Sequence, residues 1–196
     1  MERLSRPVVI IAAFAASLAI GLLLLTWLMG DVKKIATPAA IGGPFQLTDQ
    51  SGQAVTEQNL KGRPTLIFFG FTHCPDVCPT SLFEISEVMR ALGKDADKVN
   101  AFFVSVDPER DTQAAMKEYL ASFDPHLKGL TGPPGDVAKV LSAYRVYAKK
   151  RPLKGGGYSM DHSGQIYLLD PNGKFVGTYE EVDGPDKIAA DLKQRL

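Results

Sequence analysis

Residues 65–79 read TLIFFGFTHCPDVCP, and this stretch decides the fold and holds both cysteines of the chain, Cys74 and Cys78. Its first five residues form an apolar run typical of a strand that is buried on both faces. Gly70 lets the chain leave this strand, so the cysteines follow the carboxyl end of a core strand. Open α/β sheets carry their chemistry at that end of their strands.

A helix is predicted for residues 79–92, directly after the second cysteine. Pro79 suits the first position of a helix, and Gly93 is a suitable stop. Between them, apolar residues recur at helical spacing: Leu82, Ile85, Met89 and Leu92. Cys78 therefore lies at the amino end of a helix, where the partial positive charge and the free N–H groups favour a thiolate.

The spacing of the two cysteines leaves their chemistry open. Cysteines four residues apart across a strand-to-helix turn can face one another, so a disulfide or a shared metal ion is sterically open to them. The plain alternative is a structural disulfide or a pair of buried, inert thiols. Because the bend lies between Pro75 and Pro79, it exposes sulfur rather than hiding it, which favours reactive or metal-binding cysteines.

The amino-terminal part of the chain predicts a membrane anchor. Residues 8–29 are 22 residues without a charge, and at about 1.5 Å per residue such a helix crosses one bilayer. A cleavable signal peptide usually has a shorter apolar region, of about 7–15 residues, and a small-residue cleavage site. The segment Leu28-Met29-Gly30-Asp31 is a poor match to such a site. No cysteine closely follows the apolar run, which also excludes a lipoprotein anchor.

This anchor divides the chain into four predicted segments. They are a short leader at residues 1–7, a single transmembrane helix at 8–29, a tether at 30–43 and a folded domain at 44–196. Basic residues flank the span equally, with Arg3 and Arg6 before it and Lys33 and Lys34 after it, so charge alone does not orient it. The free amino terminus and the short leader favour an amino end in the cytoplasm and a domain outside it.

The charge balance of the domain excludes one class of partner. After residue 30 the chain has 20 basic and 21 acidic residues, so no affinity for nucleic acid or other polyanions is implied. The same 166 residues make one domain of ordinary size with enough bulk for a full core.

The rest of the chain predicts a mixed sheet. The predicted elements are, in order, a hairpin of strands 45–48 and 53–55, the strand 65–69 with its helix 79–92, a second buried strand at 101–106, a helix capped by Asp111 that runs to Phe123, a helix around 137–144, an irregular stretch at 148–162, a hairpin of strands 165–169 and 174–178, and a final helix from about Pro185. The two core strands and their connecting helix form a βαβ unit, so this pair is parallel. A parallel core with an antiparallel hairpin, helices on both faces and a dithiol where the first core strand meets its helix is the thioredoxin-like arrangement of the α/β class.

Histidine supplies the candidate third ligand of a metal site. Two thiolates and one imidazole form a soft ligand set that suits copper, and His162 is the best placed imidazole because it precedes the predicted strand 165–169. It reaches the cysteines only if the tertiary fold brings the two strand ends together, and otherwise it is an ordinary surface or hydrogen-bonding residue. His73 points away from Cys74 in an extended segment, and His126 lies in a predicted surface loop.

The charged residues near the cysteines and His162 each allow a functional and a structural interpretation. Asp76 or Asp161 could orient the imidazole from its far side, although each is ordinarily a turn residue. The segment SVDPERDT at 105–112 also lies at the end of a strand, and its charges are predicted to pair locally and to cap the next helix. The stretch 149–157 contains four basic residues and three glycines. We predict that it is mobile and contacts an acidic partner, with an ordinary solvated loop as the alternative.

Four motifs together resemble the Sco/SenC family of membrane-anchored copper proteins. They are THCPDVCP at 72–79, SVDPERDT at 105–112, LTG at 130–132 and DHS at 161–163. The likeness covers the chain from about Gly43 to its end. The cysteine motif with a downstream Asp-His-Ser is specific, whereas C-x-x-x-C alone is weak. The resemblance implies that copper is bound by Cys74, Cys78 and His162.

The resemblance also implies a role and a location. Members of that family serve the assembly of the binuclear copper A centre of cytochrome c oxidase, and some are linked to thiol redox control. The implied partner is the copper-bearing subunit of the oxidase, with a copper donor or a thiol-redox partner beside it. The domain is expected outside the cytoplasm, in the periplasm of a bacterium or the intermembrane space of a mitochondrion, on its single-pass anchor.

Two functions fit these expectations. The first is a metallochaperone, which is not an enzyme and which holds copper and passes it on by ligand exchange. The second is a membrane-tethered thiol-disulfide oxidoreductase that reduces client cysteines or senses the redox state, with Cys74 and Cys78 as a redox-active pair that forms a disulfide bond. Oxidoreductases of this fold usually have C-x-x-C and a proline before the facing strand, whereas here Asp161-His162 takes that place. The sequence therefore favours the chaperone.

Overall fold

The structure, a computed structural model, describes residues 6–32 and 40–196. Its helices are α1 (Arg6–Val32), α2 (Val77–Leu92), α3 (Gln113–Leu120), α4 (Pro134–Ala143) and α5 (Pro185–Lys193). Its strands are β1 (Gln46–Asp49), β2 (Ala54–Thr56), β3 (Thr65–Gly70), β4 (Asn100–Ser105), β5 (Leu127–Thr131), β6 (Ala148–Pro152), β7 (Tyr158–His162), β8 (Ile166–Leu169) and β9 (Phe175–Tyr179). Residues 1–5 of the predicted leader and 33–39 of the predicted tether lie outside the described residues.

Helix α1 and the domain that follows it are separate compact units. Within the described chain, α1 is the one helix that is long and apolar enough to cross a membrane, over Pro7–Trp27. The hydroxyls of Ser17 and Thr26 donate to carbonyl oxygens one turn earlier in the same helix, so these polar groups are satisfied without water. This helix fits the single-pass anchor expected from the sequence.

The domain is built on a seven-stranded mixed sheet with the strand order β2-β1-β5-β4-β3-β8-β9. The three central strands β5, β4 and β3 are parallel to one another. On one side β1 adds antiparallel to β5, and on the other side β8 adds antiparallel to β3. Strands β2 and β9 complete the edges as antiparallel partners of β1 and β8. The predicted mixed sheet with a parallel core is confirmed.

Strand β3 anchors the core because every one of its residues is buried. Its register with β4 places Gly70 beside Ser105, so the segments that follow these two strands leave the sheet at the same edge. Apolar side chains of both strands form the middle of the core: Leu66, Ile67, Phe68, Phe69, Ala101, Phe102, Phe103 and Val104. Burial of this apolar surface fixes the edge at which the cysteine motif emerges.

The helices flank this sheet. α2 packs against α5, α3 packs on β5, and α4 contacts β1. α2 begins at Val77, two residues earlier than predicted, and it ends at Leu92. The capping residue Gly93 has φ 58°, a conformation that suits glycine. α3 ends at Leu120 instead of Phe123, because the next residues tighten into a turn in which the Phe123 N–H donates to the Leu120 carbonyl (3.0 Å).

Two predictions about strands are wrong. The predicted elements omit β5, whose apolar pattern is interrupted by Lys128 and Gly129 but which is paired on both sides by β1 and β4. They also treat residues 148–162 as irregular, whereas these residues form a second, two-stranded sheet of β6 and β7. Its antiparallel register runs from Ala148 opposite His162 to Pro152 opposite Tyr158. We call this sheet the β6–β7 hairpin.

Candidate metal centre

Three side chains that could hold a metal ion meet at the carboxyl edge of β3. They are Cys74 in the loop after β3, Cys78 in the first turn of α2 and His162 at the end of β7, and their ligand atoms all lie within 4.8 Å of one another. The Cys78 Sγ is 3.5 Å from His162 Nε2, and the Cys78 backbone N–H donates to the Cys74 Sγ at 3.4 Å. The fold thus brings together the three predicted ligand residues, which are separated by up to 88 positions in the sequence.

Gly70 makes room for the buried sulfur. A Cβ atom at this position would lie 2.7 Å from the Cys78 Sγ, 2.8 Å from a ring carbon of Phe103 and 2.9 Å from a ring carbon of Phe68. These separations are shorter than van der Waals contact, so only glycine leaves the Cys78 side chain in place. The role predicted for Gly70, to let the chain leave the strand, is therefore joined by a steric role at the site.

The imidazole of His162 is oriented by the backbone and by aromatic rings. Its Nδ1 lies 2.8 Å from the Ser163 carbonyl oxygen, which leaves Nε2 turned to the sulfur atoms. The rings of Phe71 and Phe68 meet the imidazole edge to face, with centroids 5.7 Å and 6.2 Å away. This packing fixes the ring plane while the hydrogen bond fixes which nitrogen faces the cysteines.

The predicted orienting carboxylates do not contact the imidazole in the described structure. Asp161 lies beside His162 in β7 but points to the other face of the strand, where it pairs with Arg151 at 3.3 Å. Asp76 precedes α2, and its carbonyl oxygen accepts from the hydroxyl of Thr80. The Ser163 carbonyl takes the expected role, and a backbone acceptor of this kind has no signature in the residue types.

The two thiols have opposite electrostatic environments. A hydrogen bond from Cys78, together with those from His162 and from backbone N–H groups, outweighs burial and lowers the pKa of Cys74 to about 4. The hydrogen bond to Cys74 and burial raise the pKa of Cys78. These opposite shifts favour the thiolate at Cys74 and the protonated thiol at Cys78.

This assignment corrects the expectation of a thiolate at Cys78. That residue does lie at the amino end of α2, but its side chain is fully buried and turns to the core, away from the free N–H groups of the first turn. The partly exposed Cys74 receives those groups instead. The pKa of His162 is raised, because hydrogen bonds with Cys74 and the Ser163 carbonyl outweigh the burial that works against its charged form.

The loop that carries Cys74 is held by a buried carboxylate. Asp111 accepts from the Thr72 backbone N–H (3.2 Å), the Thr72 hydroxyl (2.7 Å) and the Ser105 hydroxyl (2.6 Å). Burial raises the pKa of Asp111 against these hydrogen bonds. The prediction that Asp111 caps the next helix is wrong: Thr112 is the cap, and its hydroxyl accepts from the Ala115 N–H. Asp111 is unavailable for capping because its oxygens face the cysteine loop.

The other histidines lie away from the three ligands, as predicted. His73 is exposed, and its Nδ1 is 3.0 Å from the Thr72 hydroxyl. His126 precedes β5 and is therefore at the amino edge of the parallel strands, opposite the site. There it lies between Asp97 and Asp124, with contacts of 3.2 Å and 2.6 Å, which raise its pKa.

The basic stretch 149–157 belongs to the β6–β7 hairpin and is partly neutralised. Lys150 pairs with Glu109 at 2.5 Å and Arg151 pairs with Asp161. Across the described chain, Lys149 and Lys154 have no ion-pair partner. Local pairing in the segment 105–112 is confirmed by the contact of Arg110 with Asp107. Contact with an acidic partner stays a prediction.

A family model described as SCO1/SenC matches residues 33–196. The mitochondrial protein SCO2 of Saccharomyces cerevisiae is 41% identical over 170 residues, which is 83% of this chain and 56% of the yeast protein. The chain thus spans about half the length of this relative.

Solved structures give the same result. A structure of Bradyrhizobium japonicum ScoI with copper bound is 69% identical and matches with a TM-score of 0.77, covering 80% of this chain and all of that one. The structure of BsSco, in a study of a disulfide switch in this member of the Sco family of cytochrome c oxidase assembly proteins, is 26% identical with a TM-score of 0.65 and covers 82% and 95% of the two chains. The matched region contains the mixed sheet, the cysteine motif and the Asp-His-Ser motif. The chain belongs to the SCO1/SenC family.

Proposed function

We propose that the protein is a copper metallochaperone that delivers copper to the copper A centre during assembly of cytochrome c oxidase. The convergence of Cys74, Cys78 and His162 carries this proposal, since two soft sulfur ligands and one imidazole suit copper better than the harder metals. Relatives support it: Bradyrhizobium ScoI holds copper, and BsSco is a member of a family of oxidase assembly proteins.

Copper is the cargo of this site, and the chain's own residues prepare for it. Cys74 is already a thiolate at neutral pH because its pKa is about 4. Cys78 must lose its proton when copper binds, and the raised pKa of Cys78 makes that proton part of the binding equilibrium. The fixed imidazole offers Nε2 as the third ligand without reorganisation.

The proposed partners and location follow from the anchor. Residues 1–7 form a leader, 8–29 a single-pass transmembrane helix, 30–43 a tether and 44–196 the copper-binding domain, which lies outside the cytoplasm. An anchor of this kind keeps the domain beside a membrane-bound client, the copper-bearing subunit of the oxidase. The client's cysteines must be reduced before they accept copper, so the proposed partners include a thiol-redox protein. A copper donor completes the set.

A second candidate function is thiol-disulfide exchange. The observation that favours it is the low pKa of the partly exposed Cys74, next to a second thiol that can resolve a mixed disulfide. The disulfide switch described for BsSco fits this chemistry. Both functions use the same two sulfurs, so the cysteines cannot separate them.

The histidine separates the two functions. The test uses the full chain in detergent and compares the parent with His162→Ala, Cys74→Ser, Cys78→Ser and the control His126→Ala. Copper content, copper spectroscopy and oxidase assembly in cells are measured for each. We expect His162→Ala to weaken copper binding by at least about 100-fold and to abolish assembly. Loss of a residue that only hydrogen-bonds a metal ligand weakens binding by up to about 100-fold, and loss of a ligand should cost no less.

His126→Ala is the control for this experiment. His126→Ala should match the parent, because that imidazole lies at the other edge of the sheet. A His162→Ala protein that binds copper as the parent does, and still supports oxidase assembly, contradicts the three-ligand site and leaves thiol exchange as the function.

A further inference from the structure

The β6–β7 hairpin, which carries His162, has no backbone ladder to the main sheet. Within residues 6–32 and 40–196, its two strands pair only with each other. At its base, the Ser163 N–H donates to the Tyr147 carbonyl at 3.1 Å and the Tyr147 N–H donates to the Ser163 hydroxyl at 3.1 Å, and both bonds close the hairpin on itself. Side chains must therefore fix the hairpin on the domain.

Met160 of β7 packs into the core, and Lys150 pairs with Glu109. The densest set of contacts is a cluster of three residues, which we call the clamp: Asp107, Arg110 and Tyr158. The Arg110 guanidinium donates to the Asp107 carboxylate and, at 3.0 Å, to the Tyr158 carbonyl oxygen. The same guanidinium stacks on the Tyr158 ring at 3.8 Å. The Tyr158 hydroxyl donates to the second Asp107 oxygen at 2.9 Å. The Asp107 side chain is fully buried, so these contacts are shielded from water.

The clamp acts on the part of the hairpin that carries the ligand. Tyr158 and His162 lie four residues apart on β7, so their side chains point to the same face of the strand. Arg110 also lies over the ring of Phe71 at 5.6 Å, and Phe71 packs against the His162 imidazole at 5.7 Å. Arg110 thus contacts both the start of β7 and the ring that supports the imidazole.

The loop of the clamp also holds the cysteines. Asp111, one residue after Arg110, binds Thr72 in the loop that carries Cys74. The segment 105–112 therefore contacts both ligand-bearing parts of the molecule, the cysteine loop through Asp111 and the hairpin through Arg110. The segment 105–112 therefore acts as a spacer between the cysteine loop and the hairpin.

We propose that Arg110, with Asp107 and Tyr158, is a positioning group that sets the distance between His162 and the two cysteines. For copper, this inference rests on the proposed function, because it requires that Cys74, Cys78 and His162 together bind the ion. Without the clamp the cysteines keep their place on β3 and α2, while the hairpin and its imidazole move away. The site then has two ligands in place of three.

The test removes the clamp without leaving a buried charge. Arg110→Met alone leaves the Asp107 carboxylate uncompensated and risks unfolding, so it is combined with Asp107→Asn. Tyr158→Phe removes only the hydroxyl, and Arg110→Lys keeps the cation but loses the fork of donors. Lys154→Met is the matched control, a cation of the same hairpin that has no ion pair within the described residues.

The first measurement uses the copper-free full chain in detergent. We expect Asp107→Asn/Arg110→Met to lose the nuclear Overhauser contact between the His162 and Phe71 rings and to speed amide hydrogen exchange in residues 148–162 at least about tenfold. Exchange in β3 and β4 should stay at the parent's rate. Arg110→Lys should be intermediate, and Lys154→Met should match the parent.

The second measurement adds copper. We expect the clamp variant to bind it about 10- to 100-fold more weakly, with the spectrum of His162→Ala. Added to His162→Ala, the clamp change should cause no further loss, because both remove the same ligand. Retention of the ring contact, an equal loss in the His162→Ala background, or faster exchange throughout the core would each overturn the inference. If His162→Ala itself leaves copper binding unchanged, the ligand set of the proposed function fails, whereas the copper-free measurement still decides the clamp.

Discussion

The segment that carries Cys74 and Cys78 and the hairpin that carries His162 meet at one point, but they are attached to the domain by different means. The cysteine segment continues a strand paired on both sides, and it enters a helix that packs on the core. Among the described residues the hairpin pairs only with itself, and contacts that involve side chains hold it to the domain: buried Met160, the Arg110–Tyr158 contacts and the Lys150–Glu109 pair. Of the three proposed ligands, the two sulfurs thus lie on elements built into the main sheet and its helix, whereas the imidazole lies on a hairpin with its own small sheet.

The pH dependence of copper affinity is the largest expected effect. Its slope gives the number of protons that each region releases when copper binds. Copper needs deprotonated ligands, so affinity rises with pH by about tenfold per unit for each proton released. The raised pKa of Cys78 keeps one proton to be released throughout the range 5–8, which predicts about a thousandfold gain across it. The protonated His162 adds a second proton below its own raised pKa, so the parent should show the steeper slope at the acidic end.

The variant His162→Ala isolates the cysteine region in this experiment. It should keep a slope of one proton across the whole range, and Cys74 should add nothing because its pKa of about 4 lies below the range. Competition titrations with a copper chelator at each pH give both slopes. A flat profile for His162→Ala would show that Cys78 is already ionised and that the two thiols are not separated as described.

Steric space differs between the two regions, and alanine at a glycine measures it. Gly70→Ala places a methyl group 2.7 Å from the Cys78 Sγ, and overpacking of this kind costs about 1–3 kcal/mol. Gly164→Ala, next to the hairpin, meets only Val77 at an ordinary 3.5 Å and should change stability by less than about 0.5 kcal/mol. Urea unfolding of the copper-free proteins compares them, and equal stabilities would remove the difference in packing.

Asp111, which supports the cysteine loop, is titratable, and we expect it to cause a smaller, pH-dependent change in stability. Burial raises the folded-state pKa of Asp111 above its unfolded value of about 3.9. Its contribution to stability is therefore fully present below about pH 4 and is lost as the pH rises through the raised pKa. Asp111→Asn should flatten that fall, while Asp95→Asn, which removes an exposed carboxyl of lowered pKa, should not. Thermal unfolding between pH 3 and 8 tests this, and unchanged curves for Asp111→Asn would refute it.

The smallest effect is expected at the exposed cations of the hairpin. Reversing the charge of Lys149 and Lys154 should leave copper affinity unchanged and slow delivery to the oxidase subunit by about two- to fivefold at low salt, with the difference lost at high salt. Reversal at Lys117 and Lys128, which lie on α3 and β5, is the control. Stopped-flow transfer rates decide the question, and transfer at the parent's rate means that the hairpin is an ordinary solvated surface.

The same contrast explains what could be predicted from the sequence. The strand, bend and helix around the cysteines depend on local signals: an apolar run, two prolines and a helical repeat. The sequence therefore predicts their bounds to within two residues. The hairpin depends on distant contacts such as that between Arg110 and Tyr158, which are 48 positions apart. Its exposed strand Ala148–Pro152 has no apolar alternation, so no local pattern indicates a strand.

Two details of the site were hidden for the same reason. Asp111 and Thr112 are both good helix caps by residue type, and the choice between them is made by the burial of Asp111 against Thr72. The helix end alone predicts a thiolate at Cys78, but the burial of that side chain in the core disfavours its charged form. Only the parallel register of Gly70 with Ser105 could have indicated that the segments after β3 and β4 meet.

If the protein hands copper on as proposed, the unequal burial of its two sulfurs sets the order of that transfer. Cys78 lies against Gly70 in the core, and its side chain has no exposed surface. In the proposed transfer, an incoming thiolate would meet the partly exposed Cys74 before the buried Cys78. Cys74 would then be the first of the two sulfurs to be replaced and Cys78 the last, so the ion would keep one bond to the protein until the client held it with two.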